Sequence, residues 1–182
     1  IRLIIGCVSF VAGRLDISFQ PLFVDHDMHY YRTYLKILNT ADQEENIGYI
    51  MFCRNCKDRY SDISKQTKCR KCDHETEIAG PLWIGKLFDK EFVTKMKNVR
   101  SSLTVHKRCE RILDRSELEA DLPATYYTLD EIASKMNSAP LKLSDAIDRL
   151  TSNGFKASMT SLNPSGFRTN CEIDEIIQIF QN

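Results

Sequence analysis

Two Cys-x-x-Cys pairs, Cys53-Arg54-Asn55-Cys56 and Cys69-Arg70-Lys71-Cys72, constrain this chain more than any other feature, and twelve residues separate them. A Cys-x-x-Cys turn brings two sulfurs to one ion, and two such turns complete a tetrahedron, the ligand set of a structural zinc site. Lys57, Arg59, Lys65, Lys68, Arg70 and Lys71 stand between or beside the pairs. Their charge offsets that of a zinc tetrathiolate and also suits phosphate. The competing reading is two disulfides, or unrelated thiols. An odd total of seven cysteines, with nothing that suggests a secreted chain, favours reduced thiols and a metal. Four protein ligands leave no open position, so such a site points to structure or recognition and away from zinc catalysis.

The 182 residues suffice for one large domain or two small ones, and 42% hydrophobic against 27% charged residues can build a core. Lys+Arg and Asp+Glu both number 25, so the net charge is zero. Any nucleic-acid surface must therefore come from local basic patches. No run reaches the roughly 18 apolar residues of a membrane span. The run from Leu3 to Ala12 has no basic leader and reads as a helix, not a signal peptide. Because the chain opens on Ile1, this helix is expected to lie inside a longer, cytoplasmic protein, with absent motifs lying upstream.

The pattern predicts a mixed α/β chain. Residues 1–15 read as a helix, and 17–24 as an extended segment in which Pro21 favours an edge or a strand end. Residues 25–29 are polar and turn-like, and 30–38 alternate as a strand. A helix followed by two strands looks like the tail of an α/β domain. Residues 39–46 form an acidic loop, and 49–52 a short strand that feeds the first cysteine pair, as in a zinc ribbon. Asp89 caps a helix over 90–103, and a second helix spans 105–120. Lys95, Lys97, Arg100, Lys107, Arg108 and Arg111 make this the most basic region. Thr128, with Glu131 in the capping-box position, opens a helix over 129–136. Leu143, Ala146, Ile147 and Leu150 mark another, closed by Asn153-Gly154. Strands at 155–160 and 166–169 and a helix over 172–180 follow. Helix, turn, helix, hairpin is the plan of a winged helix. Its second helix carries Asp145 and Asp148 beside Lys142 and Arg149, which makes it a poor reader of the major groove and a better packing scaffold. On the hairpin, Lys156, Thr160, Ser161 and Arg168 are placed for phosphate contact, or form a solvated hairpin.

Three strings carry a resemblance. Pro21-Leu22 followed by Asp25-His26-Asp27-Met28-His29-Tyr30-Tyr31-Arg32, the stretch Gly80-Pro81-Leu82-Trp83-Ile84-Gly85-Lys86-Leu87-Phe88-Asp89, and Gly154-Phe155-Lys156-Ala157-Ser158-Met159-Thr160 with Gly166-Phe167-Arg168-Thr169 resemble segments of the tRNA (guanine-26, N2)-dimethyltransferase family, in family order. The intact cysteine quartet and short linkers resemble its archaeal version. The resemblance implies a Rossmann-like domain that transfers methyl groups from S-adenosylmethionine to a guanine of tRNA, followed by a family-specific C-terminal domain. This sequence matches the end of the first and all of the second. It lacks a glycine-rich cofactor loop and an Asp-Pro-Phe type catalytic segment. The resemblance therefore places no catalytic residue in this chain and implies that it is inactive alone, with the cofactor bound by the upstream methyltransferase domain. Leu162 stands where the family usually has histidine.

The expected architecture is the end of a methyltransferase domain over 1–47, a zinc ribbon over 48–80, a helical connector over 81–122 and a winged-helix-like subdomain over 123–182. Zinc falls to Cys53, Cys56, Cys69 and Cys72. Arg32, Arg54, Lys57, Arg59, Arg70, Lys71, Arg100, Lys107, Lys156 and Arg168 are the candidates for RNA contact. Tyr30 is a stacking candidate or a core residue, and Trp83 a stacking platform or a packing plug. The leading function is the tRNA-handling part of a guanine N2-methyltransferase. The alternative is a non-enzymatic zinc-ribbon and winged-helix module that binds nucleic acid or a partner.

Overall fold

A computed structural model describes residues 1–27, 29–39, 44–100 and 102–181, with the backbone only at residue 44. The fold is mixed α/β. Helix α1 (Arg2–Gly13) buries Ile5, Gly6, Ser9 and Ala12, one face at helical spacing. Gly6 is needed there: a Cβ would lie 3.1 Å from Leu82 Cα and 3.2 Å from Trp83 N, so the helix rests directly on backbone. Strands β1 (Ser18–Asp27) and β2 (Tyr30–Leu38) form an antiparallel hairpin running from Ser18↔Leu38 to Asp27↔Tyr30. Asp25, His26 and Asp27 are thus strand, not the expected turn, because the ladder to Arg32, Tyr31 and Tyr30 continues past them. Pro21 sits mid-strand, where the register shifts; a bulge tolerates its missing N–H. Residues 40–43 of the predicted acidic loop lie outside the described residues, as does Met28 of the first family-like string, and Glu44–Asn46 form a single 3-10 turn.

Strands β3 (Ile47–Phe52), β4 (Arg59–Asp62) and β5 (Glu77–Trp83) form an antiparallel sheet in the order β4-β3-β5. The cysteine pairs lie in its loops. Helix α2 (Lys90–Arg100) starts as expected, with Phe92 N donating to Asp89 Oδ1 at 2.8 Å. Helix α3 (Lys107–Glu119) begins at His106, whose ring accepts from Arg108 N. The two helices are linked by Lys97 to Asp114 and Glu117, at 3.0 and 2.6 Å. One core joins α1, β1, β5, α2 and α3 through Ile5, Phe19, Phe23, Trp83, Phe88, Val93 and Leu113.

A second core closes the C-terminal part. It is built from strand β6 (Tyr127–Thr128), helices α4 (Leu129–Met136) and α5 (Leu143–Ser152), strands β7 (Ala157–Met159) and β8 (Gly166–Thr169), and helix α6 (Ile173–Gln181). The sheet order is β6-β8-β7. Ile132, Ala146, Leu150, Phe167, Ile173 and Ile176 are buried in it. Gly154, at φ +88, follows α5 as the expected helix stop. The capping box fails: Thr128 makes no side-chain cap bond, and Glu131 turns away to Arg59. Arg149 of α5 reaches the carbonyls of Ile179 and Phe180 at the end of α6, which suits a cation at a helix C-terminus. No helix among the described residues is long and apolar enough to cross a membrane.

Candidate metal centre and nucleic-acid interface

The loops after β3 and β4 fold into two matching knuckles. In the first, Lys57 N donates to Cys53 O at 2.9 Å; in the second, Asp73 N donates to Cys69 O at 3.0 Å. Lys57 and Asp73, each directly after a pair, adopt positive φ of 67° and 56°, which closes the turn. All four sulfurs consequently lie within 4.8 Å of one another. The Cys53–Cys72 and Cys56–Cys69 Sγ separations are both 3.5 Å, and all four thiols are free. A tetrahedron with Zn–S bonds of about 2.3 Å spaces its sulfurs about 3.8 Å apart, so the donor set fits a thiophilic tetrahedral ion such as zinc and not a disulfide. The backbone N–H of His74 and the side chain of Asn55 hold the Cys72 thiol down to about 5, whereas burial pushes Cys56 and Cys69 up.

Several of the basic residues around the knuckles bind neighbours within the chain. Arg70 forms an ion pair with Asp58 at 2.8 Å, stacks over Tyr60 and reaches Glu172. Lys71 bonds Glu172 and Asp174 of the C-terminal unit at 2.7 and 2.8 Å. Lys135 of α4 donates to Asn55 O at 2.9 Å. Arg59 lies between the rings of Phe52 and Tyr127, donates to Tyr126 O at 2.6 Å and pairs with Glu131. The cysteine loops are thus clamped to the C-terminal unit by residues that the sequence offered to RNA. Arg54, paired with Glu77, and half-buried Lys57 over Phe52 stay near solvent.

Arg168 differs most from its sequence reading. It is 3% exposed, with Nε 2.7 Å from Glu119 Oε2 and Nη1 donating to Pro123 O. Thr160 Oγ1 and Ser161 N also donate to Glu119, at 2.6 and 2.7 Å, so most of the expected phosphate-binding hairpin is an internal network. Glu119 has to be satisfied because an unpaired buried carboxylate is costly. Trp83 is 3% exposed, stacks on Phe19 at 5.4 Å and donates Nε1 to Lys86 O, which makes it the packing plug. Arg100 pairs with Asp114. Arg32, Lys107 and Lys156 remain exposed. Arg32 lies 4.9 Å from the Tyr30 ring centre, and the Tyr34 hydroxyl raises its pKa. Tyr30 is 40% exposed, with Arg32 over its ring.

An open cleft of about 760 Å³ separates the β1–β2 hairpin, the cysteine-bearing sheet and the C-terminal unit. Sequence reasoning missed it, since its walls come from His26, Tyr31, Phe52, Tyr126 and Leu162, and its floor from Arg2, Arg59 and Arg168. Arg2 donates to Trp83 O and Gly85 O, and burial, with Arg168 nearby, draws its pKa down to about 9.

The sequence profile of the N2,N2-dimethylguanosine tRNA methyltransferases (TRM) matches residues 1–181. The chain belongs to this family. Among similar TRM relatives, the tRNA (guanine(26)-N(2))-dimethyltransferase of Methanosphaera stadtmanae is 30% identical over 94% of this chain and 47% of its own length. The tRNA (guanine(26)-N(2)/guanine(27)-N(2))-dimethyltransferase of Aquifex aeolicus is 31% identical over 98% of this chain and 47% of its own. The chain thus spans about half the length of these relatives. Among solved TRM structures, Trm1 of Pyrococcus horikoshii, determined with S-adenosyl-L-methionine, superposes with a TM-score of 0.82 over 98% of this chain and 48% of that one, at 22% identity. That likeness extends the fold across nearly all of the chain.

Proposed function

We propose that this chain is the C-terminal, tRNA-handling portion of an S-adenosylmethionine-dependent tRNA guanine N2-methyltransferase that dimethylates guanine 26. The observation that carries the reading is the family match over residues 1–181 in a chain half as long as its relatives. Methyl transfer and cofactor binding belong to an upstream domain whose sheet ends in α1, β1 and β2. The apolar face of α1, with Leu3, Phe10 and Val11 exposed, supports that reading, because a face of this kind is normally covered. Residues 1–47 finish the Rossmann-like domain, 48–80 are a zinc ribbon, 81–122 a connector and 123–182 a winged-helix-like unit. Cys53, Cys56, Cys69 and Cys72 hold one structural zinc ion, which when bound ties the two knuckles together and supplies folding free energy. The chain's own residues do the rest. Exposed Arg32, Arg54, Lys107 and Lys156, with half-buried Lys57, grip phosphates, and Tyr30 stacks on an unpaired base. A methyltransferase must unstack its target base, and backbone contacts away from the chemistry offset that cost.

The test pairs this chain with the protein extended upstream through the missing sequence. The extended protein should convert guanine 26 to N2,N2-dimethylguanine, read by mass spectrometry of tRNA nucleosides. The chain alone should transfer nothing and show no calorimetric titration with S-adenosylmethionine. Saturable cofactor binding by the chain alone, or an extended protein that leaves guanine 26 unmodified, overturns the reading.

A further inference from the structure

Helix α3 carries its cations in an arrangement that works against a helix. Lys107, Arg111 and Arg115 follow one another at intervals of four, so like charges stack on one face, and like charges at that spacing repel. Elsewhere on α2 and α3 the cations are neutralised. Lys97 and Arg100 pair with Asp114, Lys97 also with Glu117, and Arg108 with Asp25 and Asp27. Arg111 and Arg115 meet no carboxylate among the described residues. Arg111 is exposed and has no partner there at all. Arg115 is half-buried and has two neutral partners: Nη1 donates to the Thr160 carbonyl at 3.0 Å, and Nη2 to the Met159 sulfur at 3.5 Å. Those bonds fix its guanidinium against the β7–β8 hairpin and leave its Nε–H unspent.

A cleft lies on each side of this pair. One, of about 420 Å³, runs from Asp27 at the tip of the β1–β2 hairpin to Ser161 and Pro164 in the β7–β8 loop. The other, of about 380 Å³, is formed by α3 and the C-terminal unit alone, with Ile147 and Met159 across from the helix. Arg111 and Arg115 line both, so they form the ridge between them. The carboxylates lining the two clefts are Asp27 and Asp114, and Arg108 and Lys97 already hold them. The ridge is therefore locally cationic in a chain of zero net charge. A guanidinium fork takes two oxygens of one phosphate, and a nucleic-acid strand repeats that group along its length.

We propose that Arg111 and Arg115 bind the backbone of the tRNA, taking phosphate from a strand that crosses the ridge between the two clefts. The proposal rests on the tRNA reading above for the identity of the polyanion. The bound strand supplies the counter-charge that the helix itself omits, and Arg115, held by the hairpin, couples that contact to the C-terminal unit.

The experiment measures binding of a tRNA transcript to this chain between about 50 and 200 mM salt. Arg111→Gln should weaken binding about tenfold and reduce the slope of log affinity against log salt by about one. Arg111→Lys keeps the charge without the fork, so it should restore the slope and only part of the affinity. Lys95→Gln removes an equal charge where Glu91 already neutralises it, and should change affinity by less than about twofold. Both positions are exposed on helices, so the fold survives each change. Overturning results are an Arg111→Gln chain that binds like the native one, a Lys95→Gln chain that loses as much, or a native chain that does not bind tRNA. Displacement of the tRNA by an equal charge of polyglutamate would make the ridge a general polyanion surface and overturns the proposal too. The upstream-extended protein separates this site from the enzyme reading. If it methylates guanine 26 and Arg111→Gln is indifferent, the ridge falls and the enzyme stands. If Arg111→Gln weakens tRNA binding but guanine 26 is never methylated, the enzyme falls and the ridge stands.

Discussion

The two ends of this molecule treat apolar surface in opposite ways. After Leu118, no large apolar side chain among the described residues is exposed; Tyr127, Ile132, Leu150, Phe167 and Ile176 all close on one another. At the other end, Leu3, Phe10 and Val11 of the first helix, Leu15 just after it, and Tyr31 and Ile37 of the second strand face solvent. Both terminal helices have a buried stripe, but only in the N-terminal one are the apolar residues beside it exposed. The contrast separates a unit that buries its apolar surface in its own core from one that leaves an exposed apolar face.

The most forceful way to break this comparison is to remove the metal. We expect about one equivalent of zinc per purified chain, and Cys53→Ser should lose most of it. Structural zinc contributes about 10–16 kcal/mol of apparent binding free energy, so residues 47–83 should lose hydrogen-exchange protection. A self-sufficient C-terminal unit should keep its protection over 127–181. Loss of protection there too would mean that the clamps through Arg59, Lys71 and Lys135 hold that unit together.

A smaller effect comes from the buried ion pair. Glu119→Ala leaves Arg168 without its partner and strands Thr160 Oγ1, at a cost of about 3–5 kcal/mol in chemical denaturation. Replacing Glu119 and Arg168 together with apolar residues should recover much of it. A single mutant that costs under about 1 kcal/mol would show that water reaches the site. By contrast, Leu3→Ser should change the stability of this chain by no more than about 0.5 kcal/mol, because Leu3 is exposed. In the upstream-extended protein the same change should cost clearly more. Equal costs in both contexts would remove the case for a covering neighbour.

The smallest effect is electrostatic. Hydrogen bonding to Lys97 holds Asp114 and Glu117 below the ordinary carboxylate range. Depressed folded values give stability that is present above the unfolded value near pH 4 and lost as pH falls through the folded one. Lys97→Met should therefore be less stable than the native chain at pH 7, and the difference should shrink and vanish as both carboxylates become protonated in acid. A difference that persists at low pH would assign the effect to the packing of the lysine stem.

Local signals were readable in the sequence, and distant pairings were not. Asp89 as a cap, the alternation of residues 30–38, the stop at Asn153-Gly154 and the cysteine knuckles depend on neighbours within a few residues, and each lies where the pattern placed it. Glu131 fits a capping box equally well, but Arg59, 72 residues earlier, claims it. Arg168 resembles a surface hairpin residue until Glu119 is brought beneath it, and nothing in the apolar spacing of the third helix marks Glu119 as buried. The two-residue strand at Tyr127–Thr128 has no period to read; it exists because Phe167 and Gly166 offer a ladder. The aromatic cleft draws on six separate stretches of chain, so no window of sequence contains it.

The clamp from Lys71 to Asp174 spans 103 positions. At synthesis rates of about 5–20 residues per second, the cysteines leave the ribosome roughly 5–20 s before their acidic anchors exist. During that interval the four thiols stand on a three-stranded sheet with nothing docked against them. The order of translation thus asks the quartet to find its ion early and unaided, before oxidation or a wrong partner does.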